Sequence, residues 1–289
     1  MQGIVFSDPG TPVRLDDIDP DPPRRVHKTE ARVRFESLDR ELFDLQDLMW
    51  GARTHSLLVV LQGRDAAGKD GAIKHVMAGL NPRGVSVTSF GVPTEEELQH
   101  DFLWRVHRHA PRAGEVAIFN RSHYEDVLVV RVKGLVPRPV WKARYKHIVD
   151  FEGLLAEHGC IVLKFFLHIS RKEQERRLLE RERDPKASWK LNVEDWRERD
   201  RWDETTEAYE DAISRCATPQ APWIVVRADS KWYRNLVIAE EVVAALRPYR
   251  KRWIKTLEKK SAAARAAIAA FRAARKRAKA APGKGEAAD

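Results

Sequence analysis

Cysteine is nearly absent. The 289-residue chain has two, Cys160 and Cys216, which excludes a disulfide scaffold and a Cys-rich zinc site. Long apolar runs are missing as well. The longest aliphatic run is Leu57–Leu61, far short of the ~20 residues that span a bilayer, so no membrane partner is expected. The opening MQGIVFSDPG has no basic segment followed by an apolar one. No export signal is read there, and a cytoplasmic location is expected. Glycine and proline, at 15 each, are too sparse for a low-complexity chain. Negative charge is what the C-terminus lacks. Residues 247–289 hold 14 Lys and Arg against Glu258, Glu286 and Asp289. That segment carries +11 of a net +9, so the rest of the chain sums to −2. The high pI therefore belongs to the tail.

What is present is an alternation of strand and helix patterns. Residues 1–28 look irregular, with DPGTP and DPDPP as turn signals. Val33, Leu38, Leu42, Leu45 and Leu48 recur at helical spacing, which predicts a helix over 29–53. LLVVLQ at 57–62 reads as a buried parallel strand. A helix is predicted from Lys69 to about Leu80, a strand over 85–90, and a capping box at Thr94 and Glu97. Further strands are predicted at 116–119, 161–169 and 223–227. Helices are predicted near Tyr124 and over 139–158, 171–183 (boxed by Ser170 and Glu173) and 231–246 (capped by Ser230). Such an order implies an α/β fold with a mostly parallel sheet flanked by helices. The chain divides into an irregular 1–28, a core domain over 29–246 and a basic tail over 247–289. The tail reads as a helical extension that frays near Pro282 and buries little surface.

Gly63-Arg64-Asp65-Ala66-Ala67-Gly68-Lys69 matches G-x-x-x-x-G-K between a strand and a helix, the context the motif requires. Glycines let successive N–H groups turn inward toward an anion, the helix start adds its dipole, and Lys69 adds a mobile charge. Gly63, Arg64, Gly68 and Lys69 are thus candidate phosphate contacts. The next residue is Asp70 rather than the usual Ser or Thr. Asp65 lies inside the loop, where a carboxylate needs an intervening cation, so it is a candidate Mg2+ ligand. Asp70 reads equally as a helix-start acid. The strand at 116–119 runs into Asn120-Arg121-Ser122-His123-Tyr124-Glu125-Asp126, at the end where α/β ligands bind. Arg121 is placed to neutralise a transferring phosphoryl group. Asn120, Glu125 and Asp126 are candidates for holding a nucleotide or metal. The charged segment 171–205 suits a lid, with Arg177 and Arg181 as its phosphate contacts. His100, His107 and His109 lack metal-site spacing.

LQGRDAAGKDG, followed about fifty residues later by FNRSHYEDVLVVRV, resembles the polyphosphate kinase 2 family. DPKASWKLNVEDW and RWDETTEAYEDAI resemble its lid module, and the likeness spans about 30–246. Many members read Asp-Arg-Ser in the second motif and Asn after the Tyr. Asn120 and Glu125 resemble instead the subgroup that phosphorylates both nucleoside mono- and diphosphates. The resemblance implies a P-loop kinase-like fold and catalytic roles for Asp65, Lys69 and Arg121. It implies transfer of the terminal phosphoryl group of inorganic polyphosphate to AMP or ADP. Mg2+ is the expected cofactor, with Mn2+ as a substitute. AMP, ADP and ATP are the expected nucleotides, with guanine nucleotides as further candidates. A homo-oligomer is expected, and no specific nucleic-acid partner. Two alternatives stay open: an ATP-dependent nucleoside monophosphate kinase and a nucleic-acid-binding NTP switch.

Overall fold

The computed structural model describes residues 3–280. Its strands are β1 (Ile4–Phe6), β2 (Ser56–Gln62), β3 (Val85–Ser89), β4 (Val116–Asn120), β5 (Cys160–His168) and β6 (Trp223–Arg227). The helices before the lid are α1 (Lys28–Ala52), α2 (Lys69–Val76), α3 (Glu95–Leu98), α4 (Trp104–His107), α5 (Val129–Val132) and α6 (Arg138–Glu157). Then come α7 (Arg171–Arg183), α8 (Val193–Asp200), α9 (Trp202–Cys216), α10 (Lys231–Leu246) and α11 (Arg250–Ala280).

One sheet runs in the order β1-β6-β5-β2-β4-β3. Strands β2 to β6 are parallel, and β1 pairs antiparallel with β6. Helices cover both faces, so consecutive strand residues must both be apolar. Leu57, Val59 and Leu61 of β2 pack into a core with α1, α2 and α10, while Leu58 and Val60 pack into another with α6 and α9. The unbroken LLVVL run follows from this double burial.

The sheet order also positions the site. β2 leads to β3 on one side, and β5 leads to β6 on the other. Their connections diverge and open a crevice at the carboxyl ends of the strands. Parallel register sets Leu61 opposite Asn120 and Gln62 opposite Phe166. The loops leaving β2 and β4 therefore start level, and the Arg121 N–H donates to the Leu61 carbonyl at 3.0 Å.

Several expectations change in detail. The N-terminal segment is not wholly irregular, because β1 covers the edge of β6. Leu38, Leu42 and Leu45 are buried, but Val33 is exposed. Helix α2 ends at Val76 rather than Leu80, before Gly79 and the Asn81-Pro82 turn. Tyr124 lies in a 3-10 turn over His123–Asp126, not an α-helix. The Thr94–Glu97 box is complete. The Ser170 box is half formed: Ser170 accepts from the Glu173 N–H, whereas the Glu173 carboxylate is taken by Arg176 and Arg177. Ser230 precedes α10 without a side-chain capping bond. The tail begins as core rather than extension, since Trp253 is fully buried. The expected fraying near Pro282 lies outside the described residues. Among the described residues no helix is long and apolar enough to cross a membrane.

Candidate active site

The loop between β2 and α2 is built by backbone that side chains resist. Gly63 and Gly68 take φ of +155° and +102°, and Ala66 is also left-handed at 61°. A Cβ on Gly68 would meet Arg234 Nη1 at 1.9 Å, and one on Gly63 would meet the Leu167 carbonyl at 3.0 Å. Both positions thus favour glycine for conformation, and a side chain at Gly68 would also have to displace the Arg234 guanidinium. Lys69 opens α2 and bends back over the loop. Its ammonium donates to the Gly63 carbonyl at 2.7 Å and the Arg64 carbonyl at 3.2 Å. Burial pushes its pKa down, against the opposing pull of Asp65.

Arg121 sits just past β4 with a left-handed φ of 60°, a conformation costly for a non-glycine residue and often found at functional sites. Its guanidinium donates to Asp65 Oδ1 at 2.6 Å and lies 3.5 Å from Glu125 Oε2. Burial would raise the Asp65 carboxyl, but Lys69 and Arg121 outweigh it and hold Asp65 below the usual carboxylate range. Glu125 is displaced the other way, because its burial outweighs Arg121 and Lys69. The loop, Arg121 and Glu125 are thus drawn into one cluster.

That cluster separates two cavities. The larger, about 1210 Å³, is lined by the loop from Asp65 to Gly71, by Lys28 and Arg32 of α1, by the lid, and by Lys231 and Arg234. The smaller, about 50 Å³, holds Asp65, Arg121, Glu125 and Glu198 among its walls. Segment 171–200 lies over the loop. Gln174 donates to the Asp65 carbonyl at 3.0 Å, and Lys190 forms an ion pair with Asp70. Arg181 ties α7 to α8 through Asp195 at 2.5 Å and still borders the large cavity.

Not every candidate faces a ligand. Arg177 is buried and spends its donors on the carbonyls of Ala66, Ala67, Ala228 and Asp229 at 2.7–3.0 Å. It braces the loop and also borders the large cavity. Arg64 turns away from the large cavity. It stacks on Trp202 at 3.7 Å from the ring centre and donates to the Trp202 carbonyl at 2.9 Å. Asp126 pairs with Arg144 at 2.9 Å and Arg105 at 3.8 Å and borders neither cavity.

Three site residues lie outside the expected set. Arg234 of α10 is buried, donates to the Ala67 carbonyl at 3.3 Å and has no carboxylate partner. Burial, then the Arg177 charge, pull its pKa down to about 10. A lone Arg on an apolar helix was the available signal. Glu198 of α8 faces Asp65. Burial, followed by the hydrogen bond to Asp65 and its charge, pushes the Glu198 carboxyl up to about 7. Nothing in its charged surroundings marked it. Lys164 on β5 is fully buried among Glu152 at 2.5 Å, the Tyr124 hydroxyl and the Cys216 carbonyl, a network that anchors the turn after Arg121.

The donor set suits a divalent cation. Asp65 is ionised at the loop, and Asn120 Oδ1 is buried without a partner while its amide donates to Asp70 at 2.9 Å. Among the described residues no three acids or histidines are arranged as a metal cage. Mg2+ commonly takes only one or two carboxylates and fills its shell with phosphate oxygens and water.

Glycine loop, capping lysine, strand-end arginine and overlying lid define a phosphate-loop kinase fold. A family model described as Polyphosphate kinase 2 matches residues 25–253. The chain belongs to that family. It is 53% identical over 219 residues to a Meiothermus ruber protein named AMP/ADP-polyphosphate phosphotransferase, covering 76% of this chain and 82% of that one. It is 39% identical over 233 residues to an ADP-polyphosphate phosphotransferase of Rhodopseudomonas palustris, covering 75% and 81%. The crystal structure of polyphosphate kinase 2 from Arthrobacter aurescens superposes with a TM-score of 0.79 at 36% identity, covering 85% of this chain and 92% of that one.

Proposed function

We infer that this protein is a polyphosphate:nucleotide phosphotransferase, moving the terminal phosphoryl group of inorganic polyphosphate to AMP or ADP. The observation that carries the reading is the Lys69–Asp65–Arg121 cluster on the floor of a large basic cavity, in a chain of this family. Donor and acceptor are both anions, so the site must first offset their repulsion. Lys28, Arg32, Lys69, Arg121, Lys190 and Lys231 border or enter the space where both must lie. Lys69 and the loop N–H groups hold one phosphate, and Arg121 stabilises charge on the phosphoryl group in flight. The lid residues over the loop exclude water, the competing acceptor. Asp65 and Asn120 would hold Mg2+, or Mn2+ in its place. When bound, the ion screens phosphate charge and aligns the reacting oxygens. Asp65 is ionised and accepts a proton only weakly, so its part is orientation. Arg64 supports the loop rather than touching phosphate, while Arg177 braces the loop from the wall of the large cavity. Arg181 and Arg234 take the place of phosphate contacts at that wall.

The ATP-dependent kinase and the NTP switch are not favoured, because the related proteins are named for polyphosphate. Incubation with polyphosphate, Mg2+ and ADP, with no nucleoside triphosphate added, is expected to yield ATP. Transfer from ATP alone would overturn the reading. Guanine nucleotides as acceptors, a homo-oligomeric state and a cytoplasmic location belong to the same proposal.

Acceptor range follows from Glu125. A monophosphate puts its reacting oxygen one phosphate closer to the base than a diphosphate does. In this proposal Glu125, against Arg121 in the small cavity, would hold a second Mg2+ against the shorter acceptor. Glu125→Asn is expected to lower the AMP reaction by about tenfold more than the ADP reaction, the scale of one charged contact. Equal losses at saturating Mg2+ would make Glu125 a packing residue only.

A further inference from the structure

Several surface cations elsewhere in this chain pair with acids. Arg176 pairs with Glu173 and Glu180, Arg197 with Glu194, Arg215 with Asp211, and Lys146 with Asp150. The outer part of helix α11 carries a run of cations with no such pair. The base of the helix is fixed: Trp253 is buried, Leu257 packs on Gly51, and Lys260 donates to the Ala52 carbonyl at 2.7 Å. From Ala262 to Arg277 every residue is exposed. Over that span Arg265, Arg272, Arg275, Lys276 and Arg277 meet no acid in sequence, and no ion pair joins them to a carboxylate among the described residues. Like charges on one helix repel, at a cost of a few tenths of a kcal/mol per i,i+4 pair. An external polyanion relieves that repulsion.

The same span contains only Ala, Arg, Lys, Ile268, Phe271. Its only polar side chains are Arg and Lys, the groups that pair with phosphate oxygens. What it can recognise is a row of phosphates. We propose that α11 is a docking arm for inorganic polyphosphate, outside the active site. The proposal rests on the functional reading above. Helix α1 links the two places: its first turns, with Lys28 and Arg32, border the large cavity, and its last residues seat α11. At 25 residues α1 spans about 37 Å. A long chain can occupy arm and cavity together, which raises its effective concentration at the site. A short chain cannot, so the arm should select for chain length.

The test compares the full-length protein with the R265Q/R272Q/R275Q/K276Q/R277Q variant, whose changes are all exposed. Long-chain polyphosphate binding without nucleotide and KM for long-chain polyphosphate and for tripolyphosphate are measured at low and high salt. For the variant we expect long-chain binding to weaken and long-chain KM to rise, each about tenfold at low salt, with the difference shrinking as salt screens the arm. KM for tripolyphosphate and for nucleotide, and kcat, should stay unchanged. Unchanged long-chain binding and KM would overturn the arm. So would loss of duplex DNA or anionic vesicle binding with long-chain binding intact, which would assign α11 to those partners. If the wild type turns over neither chain length, the functional reading fails, and the binding measurement alone still decides the arm.

Discussion

Lys69→Ala should reduce turnover by about 10²-fold or more with little change in melting temperature, the scale of losing one preorganised transition-state donor. The two effects separate because of what Lys69 touches. Its ammonium bonds the Gly63 and Arg64 carbonyls, residues that border the small cavity, where water can replace the lost side chain. Arg121→Ala should match it in rate but also cost stability, since it leaves Asp65 and Glu125 facing each other without their shared cation. Arg121→Lys is therefore the sharper variant. It keeps the charge and loses the fork that reaches both carboxylates. A fall of similar size in Arg121→Lys, with the melting temperature retained, would locate the contribution in directed hydrogen bonds. Asp65→Asn should be comparably slow. Near wild-type rates in folded variants of any of the three would remove these residues from the reaction.

The parts of this site that were legible in the sequence are those whose geometry is local. Gly63 to Lys69 form a loop because a strand and a helix flank them, and register then brings Arg121 alongside. Orientation of long cations was not legible. Arg64, Arg177 and Arg181 carry the same charge in the sequence, yet Arg64 stacks on Trp202, Arg177 braces loop carbonyls at the cavity wall, and Arg181 borders the cavity while paired with Asp195. The difference lies in which carbonyls remain unsatisfied after the loop folds. Glu125 and Asp126 are neighbours on the turn over His123–Asp126, and neighbours on any helical turn point apart, so Glu125 reaches Arg121 while Asp126 reaches Arg144. Glu198 was hidden because its neighbours alternate in charge, and only tertiary packing brings it to Asp65. β1 was missed because three residues, Ile4 to Phe6, give no period to detect.

The junction between core and tail carries the second large effect. Composition placed the boundary near residue 247, but Trp253 is fully buried among the residues that pack against α1 and α10, and the family match runs through the same residue. Its indole N–H donates to His55 Nδ1 at 3.1 Å. Indole nitrogen only donates, so Nδ1 must be unprotonated and His55 neutral, with its proton on Nε2. Burial, then the Arg252 charge, lower the His55 pKa from its usual 6.5. Trp253→Ala should cost about 3–5 kcal/mol, the range for emptying a large aromatic site. Truncation after Arg247 should cost at least as much, whereas truncation after Ser261 should leave the melting temperature within a few degrees of wild type. The pH dependence has a definite sign. A depressed histidine pKa contributes stability above the unfolded value of 6.5 and loses it as pH falls through the lower folded value. In thermal melts from pH 8 to pH 5, the gap between wild type and Trp253→Phe, which packs but cannot donate, should therefore narrow toward acid. A gap that stays constant across that range would show that the indole contributes packing alone.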